Sequence, residues 1–176
     1  MDWMEALALG VVQGLTEFLP ISSTAHLRVV PHWLGWDDPG AEFSAVIQLG
    51  TLMAVLVYFW KDVREMVLAV LIGLKNRNPF ETKESRLAWS IAAGTVPVAV
   101  IGLGFKDWIK TEARALWIIG LALIILAIFL WLAERFSTGK RNINELGFLR
   151  IQWIGLCQAF ALIPGCSRSG ATIMGG

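Results

Sequence analysis

Hydrophobic positions fall along this chain in a few long blocks rather than in short alternating runs. Residues 43–60, 87–105 and 115–133 contain no Asp, Glu, Lys or Arg. A helix rises about 1.5 Å per residue, so each block is long enough to cross a hydrocarbon core of about 30 Å. All three are expected to be transmembrane helices. Two further apolar stretches are interrupted. Residues 6–21 contain Gln13, Glu17 and Pro20, and residues 151–176 contain Gln158, Pro164, Gly165 and Arg168. A shorter apolar block, 66–74, cannot span and is expected to lie in the membrane interface.

The two interrupted stretches read as copies of one pattern. The first has Gly10 and Gly14 four apart, Gln13, a break at Pro20 and the hydroxyls Ser22, Ser23 and Thr24. The second has Gly155 and Ala159 four apart, Gln158, a break at Pro164 and then Ser167, Ser169 and Thr172. Small residues at that spacing permit close helix contact. Three spans separate the copies, so the second enters the bilayer from the opposite face. This is the arrangement of inverted repeats whose broken helices meet inside the membrane. The expected fold is therefore all-α: a polytopic integral membrane protein with inverted repeats and re-entrant helix hairpins. It forms one membrane domain over 1–176, with the first re-entrant motif at 1–36 and the start of the second at 151–176.

Charge sets the orientation. The 61–86 and 134–150 connections hold ten Lys and Arg (Lys61, Arg64, Lys75, Arg77, Lys83, Arg86, Arg135, Lys140, Arg141 and Arg150). The 27–42 and 106–114 connections hold four (Arg28, Lys106, Lys110 and Arg114). The positive-inside rule then places 61–86 and 134–150 in the cytoplasm and 27–42 outside. Composition agrees: the chain is 56% hydrophobic and 16% charged, against about 25% charged for a soluble domain. The net charge of +1 gives no surplus of cations for a nucleic-acid partner. Asp2 and Glu5 replace the basic region of a signal peptide, so the first apolar segment is expected to be retained. Cys157 and Cys166 are expected as small apolar side chains, without a disulfide or metal role.

Candidate chemistry concentrates at the two breaks. A carboxylate at membrane depth costs about 2.5–3.5 kcal/mol, which marks Glu17 as functional. Gln13 shares its helix face, four residues earlier. Ser22, Ser23 or Thr24 can cap the following helix, and the three-residue spacing of Ser23 and His26 predicts the imidazole above the hydroxyl. A carboxylate, hydroxyl and imidazole so close suit metal binding, nucleophilic attack and proton transfer alike. In the second copy, Ser167-Arg168-Ser169-Gly170 opens a helix whose N-terminus and guanidinium suit phosphate oxygens, with Thr172 one turn on. Arg168 can instead pair with Glu17 across the repeats. These features fit a phosphate-handling enzyme or, alternatively, a transporter of a phosphorylated lipid or anion.

The stretch from Gln13 to His26 resembles the glutamate-rich first motif of the undecaprenyl-diphosphatase (bacitracin-resistance) family. The stretch Pro164-Gly-Cys-Ser-Arg-Ser-Gly-Ala-Thr172 resembles its second, arginine-bearing motif. The resemblance implies a bacterial inner-membrane hydrolase that takes the terminal phosphate from undecaprenyl diphosphate and so recycles the lipid carrier of peptidoglycan synthesis. It implies a divalent cation, Mg²⁺ or Ca²⁺, and a site open to the periplasm. Carried across, Glu17 with Gln13 would hold the metal or position the attacking group. Ser23 and His26 would serve as nucleophile or proton-transfer partners. Ser22, Ser167, Arg168, Ser169 and Thr172 would hold the substrate. The expected partners are a polyprenyl diphosphate lipid and the bilayer, with a homodimer left open. Family members continue with further helices after the second motif. The resemblance therefore implies that this chain is C-terminally incomplete, stopping within the helix that Ser169 begins.

Overall fold

The computed structural model describes residues 1–137 and 147–176. In chain order the helices are α1 (Trp3–Thr16), α2 (Ser23–Leu34), α3 (Gly40–Tyr58), α4 (Trp60–Lys75), α5 (Lys83–Gly104), α6 (Lys106–Lys110), α7 (Leu116–Phe136), α8 (Phe148–Gln158) and α9 (Arg168–Gly175). Among the described residues there is no strand, and α3, α5 and α7 are long and apolar enough to cross a membrane. The protein is an all-α polytopic membrane protein.

Helix ends depart from the apolar edges in an instructive way. Phe59 leaves helical geometry, so α3 stops at Tyr58 and Trp60 begins α4 instead of closing the first span. The second long helix starts at Lys83, capped by the Thr82 hydroxyl, and the third runs on to Phe136. Backbone hydrogen bonding does not require apolar side chains, so these helices continue into charged residues beyond the hydrocarbon-length core. The 66–74 block lies inside the sixteen-residue α4, which packs on α5. Asp2 and Glu5 form a reciprocal capping box at the start of α1, satisfying two amide donors at the helix entrance. Lys140 and Arg141, which contributed to the expected cytoplasmic charge of 134–150, lie outside the described residues.

Both interrupted stretches fold as helix, break, helix. The helices α1 and α2, of 14 and 12 residues, are each short for a full crossing. In the second copy, α8 passes through a 3₁₀ turn at Ala159–Leu162 before α9. The repeat extends to the caps: Ser22 accepts from the Ala25 amide at the start of α2, and Ser167 accepts from the Gly170 amide at the start of α9. Each serine therefore closes the first turn of the second helix in its motif. Helices α5 and α8 cross at Gly94 and Gly155, and Gln152 Nε2 donates to the Ser90 carbonyl at 3.0 Å beside that crossing. Helix α9 lies between α8 and α7.

The two connections expected outside are tied to each other. Arg114 Nη2 donates to Asp38 Oδ1 at 2.5 Å, and Arg28 Nε lies 3.3 Å from Asp38 Oδ2. Lys110 adds a looser pair with Glu42 at 3.6 Å. Residues 27–42 and 106–114 thus share one end of the bundle, as three alternating spans require. Burial raises the affinity of Asp38 for a proton, but the Arg114 and Gly40 hydrogen bonds and both guanidinium charges outweigh it and hold the carboxyl below its ordinary value. A depressed carboxylate stabilises the fold above its unfolded pKa, and that contribution is lost as pH falls through the lower folded value. Asp38→Asn is therefore expected to cost about 1 kcal/mol at pH 7, limited by solvent screening. Detergent-phase melting curves should separate the two proteins at pH 7 and converge below about pH 4. A constant gap down to pH 3 would contradict the pairing.

Candidate active site

The first half of the site is the turn after α1. Helix α1 ends at Thr16 with Glu17 as its C-cap, the Glu17 amide still donating to the Gln13 carbonyl. Gln13 Nε2 donates to Glu17 Oε2 at 2.7 Å, and Ser23 Oγ donates to the same oxygen at 2.6 Å. Glu17 is thus held from both sides of the break. Ser22 takes φ 64° and ψ 93°, a left-handed region that side chains other than Gly, Asn and Asp seldom occupy. Strain of this kind gathers at functional turns. Here it reverses the chain so that Ser23, the first residue of α2, faces Glu17, the C-cap of α1.

The second half is the turn before α9. Gly165 has φ 104°, and a Cβ there would lie 2.6 Å from the Ile119 carbonyl, so only glycine lets the chain turn this close to α7. Ser167 and Ser169 stand 2.8 Å apart, and both hydroxyls point to the Leu19 carbonyl in the first turn, at 3.4 and 2.9 Å. Two hydroxyls of the second motif thereby clasp the backbone of the first. Between them Arg168 Nη1 comes to 3.8 Å from Glu17 Oε1. The acidic and guanidinium groups do meet.

A polar cavity of about 30 Å³ lies where the turns join, lined by Glu17, Ser22, Ser23, Thr24, Gln48, Arg168 and neighbouring residues of the second turn. It has room for a water or two. A larger hollow of about 370 Å³ lies elsewhere, between α4 and the start of α5. Its walls are apolar side chains, three glutamates and Thr82, whose hydroxyl is engaged in capping α5, and no cation lines it.

Several expected residues take other partners. The Ser23–His26 pairing is not formed: His26 Nδ1 sits 2.8 Å from the Ser22 carbonyl, and Ser23 turns to Glu17. Ser22 is the cap of α2, its hydroxyl also 3.1 Å from that of Thr24. Thr172 donates back to the Arg168 and Ser169 carbonyls. The last helix begins at Arg168, one residue before Ser169, because Ser167 is its cap. Cys157 is buried as expected, whereas Cys166 is half-buried on the cavity wall; both are free thiols. Gln48, on α3 and outside both motifs, also lines the cavity. Its signal was an amide in the middle of an uncharged spanning block.

The donor set suits one kind of metal site. The Gln13 amide touching Glu17 is 1% exposed, and its Oε1 has no hydrogen-bond donor. Among the described residues no group of three or more His, Cys, Asp and Glu assembles. One carboxylate and one amide oxygen match a hard cation that takes its remaining ligands from water and substrate phosphates.

Known proteins resemble this chain along nearly its whole length. The family model described as "Bacitracin resistance protein BacA" matches residues 6–176. Curated relatives named undecaprenyl-diphosphatase include those of Chlorobium phaeobacteroides (strain BS1), 55% identical, and Chloroherpeton thalassium (strain ATCC 35110 / GB-78), 52% identical. In both, the alignment covers 100% of this chain and 65% of the relative. The relative from Myxococcus xanthus (strain DK1622) is 52% identical, with 59% of its length covered. The chain thus spans somewhat less than two thirds of the length of these relatives. With two matched motifs, their helix–break–helix geometry and a profile match along nearly its whole length, this chain belongs to the BacA bacitracin-resistance protein family.

Proposed function

We propose that this protein hydrolyses undecaprenyl diphosphate to undecaprenyl phosphate and inorganic phosphate. It would thereby recycle the lipid carrier of peptidoglycan synthesis and confer bacitracin resistance. The observation that carries this reading is the single cavity shared by Ser23, Glu17 and Arg168, with the Ser23 hydroxyl bonded to the Glu17 carboxylate at 2.6 Å. The names of the relatives supply the substrate. In this reading Glu17 takes the Ser23 proton as Oγ attacks the terminal phosphorus. The new O–P bond forms while the bond to the bridging oxygen breaks, and the prenyl monophosphate leaves. Water then cleaves the phosphoserine, releasing inorganic phosphate and restoring the hydroxyl. Arg168 offsets charge on the non-bridging oxygens, the main demand of phosphoryl transfer.

Gln13 and Glu17 would hold a divalent cation, Mg²⁺ or Ca²⁺. Bound there, it would supply further charge neutralisation to the phosphate oxygens. The positive-inside reading and the shared end of 27–42 and 106–114 support a site facing the periplasm of the bacterial inner membrane. Transport of a phosphorylated lipid would need binding groups but no hydroxyl held against a carboxylate, which favours hydrolysis.

The test is phosphate release from farnesyl diphosphate by protein purified in detergent with Mg²⁺. Release is expected, with loss on chelation by EDTA and recovery on adding Mg²⁺ or Ca²⁺. Uptake of a prenyl phosphate into vesicles without phosphate release would replace this reading with the transporter. Release indifferent to EDTA would remove the cation.

A further inference from the structure

Helix α3 carries Ser44, Gln48 and Thr51 at helical spacing, and these share one face. It is the face α3 turns to the protein, for Ser44 and Thr51 are among its buried residues. Hydroxyls in such helices can satisfy themselves on the preceding turn, and both do so. Ser44 Oγ donates to the Gly40 carbonyl at 2.9 Å, and Thr51 Oγ1 to the Gln48 carbonyl at 2.9 Å. A glutamine amide has no comparable local partner. Among the described residues the Gln48 side chain makes no hydrogen bond, and it lines the cavity with Glu17, Ser23 and Arg168. Gln48 is half-buried, and its free amide sits beside the groups proposed to act on a diphosphate.

We propose that Gln48 is a substrate-binding residue, its amide N–H groups donating to a non-bridging phosphate oxygen of the bound diphosphate. The proposal rests on the functional reading above. Its chemistry differs from that of both motifs. The cavity already sets one carboxylate against one guanidinium, and Gln48 adds two donors without charge. It can grip a phosphate oxygen without competing with Arg168 for Glu17. It also contributes from a third element, α3, which belongs to neither turn.

The experiment measures binding of farnesyl diphosphate, by tryptophan fluorescence titration in detergent, alongside phosphate release. Gln48→Leu keeps the bulk and removes the amide. It is expected to raise Kd about tenfold, as for loss of a hydrogen bond to a charged group, with an unchanged melting temperature. Gln48→Glu is expected to bind more weakly still, because a carboxylate repels the phosphates. That deficit should shrink as pH is lowered towards 5, while the deficit of Gln48→Leu relative to wild type stays constant. A position 48 lying away from the bound phosphates would not produce this pH-dependent difference, and Gln48→Glu carries the test if the leucine variant fails to fold. Wild-type binding with Gln48→Leu within twofold of it overturns the inference alone. A wild type that binds no prenyl diphosphate overturns the functional reading and this inference together.

Discussion

Arg168→Ala is expected to lower phosphate release from a prenyl diphosphate by at least about 100-fold, the usual cost of removing a main charge contact to a transition state. Stability should hardly change. The Arg168 side chain is 59% exposed, and its ion pair with Glu17 is 3.8 Å long, too loose and wet to support the fold. Arg168→Lys keeps the charge but loses the planar fork that grips two oxygens at once, and should fall between wild type and the alanine variant. Steady-state kinetics with farnesyl diphosphate, beside a melting curve, distinguish the two roles. An alanine variant that keeps more than a tenth of the rate would show that Arg168 is only a partner for Glu17.

The largest structural effect is expected at Gly155. A Cβ there would lie 2.2 Å from the Gly94 carbonyl oxygen and 2.8 Å from both the Cα and the carbonyl carbon of Gly94. Those atoms are backbone, so no side chain can move aside and α5 and α8 must separate. Helices in a membrane gain most of their association from close packing. Gly155→Ala should therefore cost about 3 kcal/mol or more and disturb the approach to the second turn. Gly14→Ala is the matched control: nothing lies within 4 Å of its added Cβ, and the better helix former should be neutral or slightly stabilising. Equal melting temperatures for Gly155→Ala and wild type would mean that the crossing is not as close as described.

Hydropathy and short motifs were sufficient for much of this architecture. An apolar block of spanning length has one inexpensive location, so α3, α5 and α7 could be recognised without knowing their neighbours. Proline breaks followed by hydroxyls announced both turns, because proline cannot continue a helix and serine is a preferred cap. Glu17 stood out because ionisable groups are rare at such depth. Which of Ser22, Ser23 and Thr24 would cap was not legible, since all three can. The cap fell to Ser22, and this released Ser23 for Glu17. The spacing argument for His26 failed for a related reason. Residues three apart share a face, but the imidazole found the Ser22 carbonyl, a stronger acceptor than the neighbouring hydroxyl.

The chain alone thus announced its class, its spans, its two broken motifs and the residue types suited to phosphate. Each depends on interactions within a few turns or on the solvent a segment prefers. What came from folding in three dimensions was the assembly of the site. The Leu19 clasp joins residues 148 and 150 positions apart, the Asp38–Arg114 pair bridges 76, and Gln48 arrives from a helix that belongs to neither motif. Such contacts follow from which helices pack and how closely, and glycines such as Gly155 and Gly165 govern that closeness through the side chain they lack. Local periodicity carries no record of it.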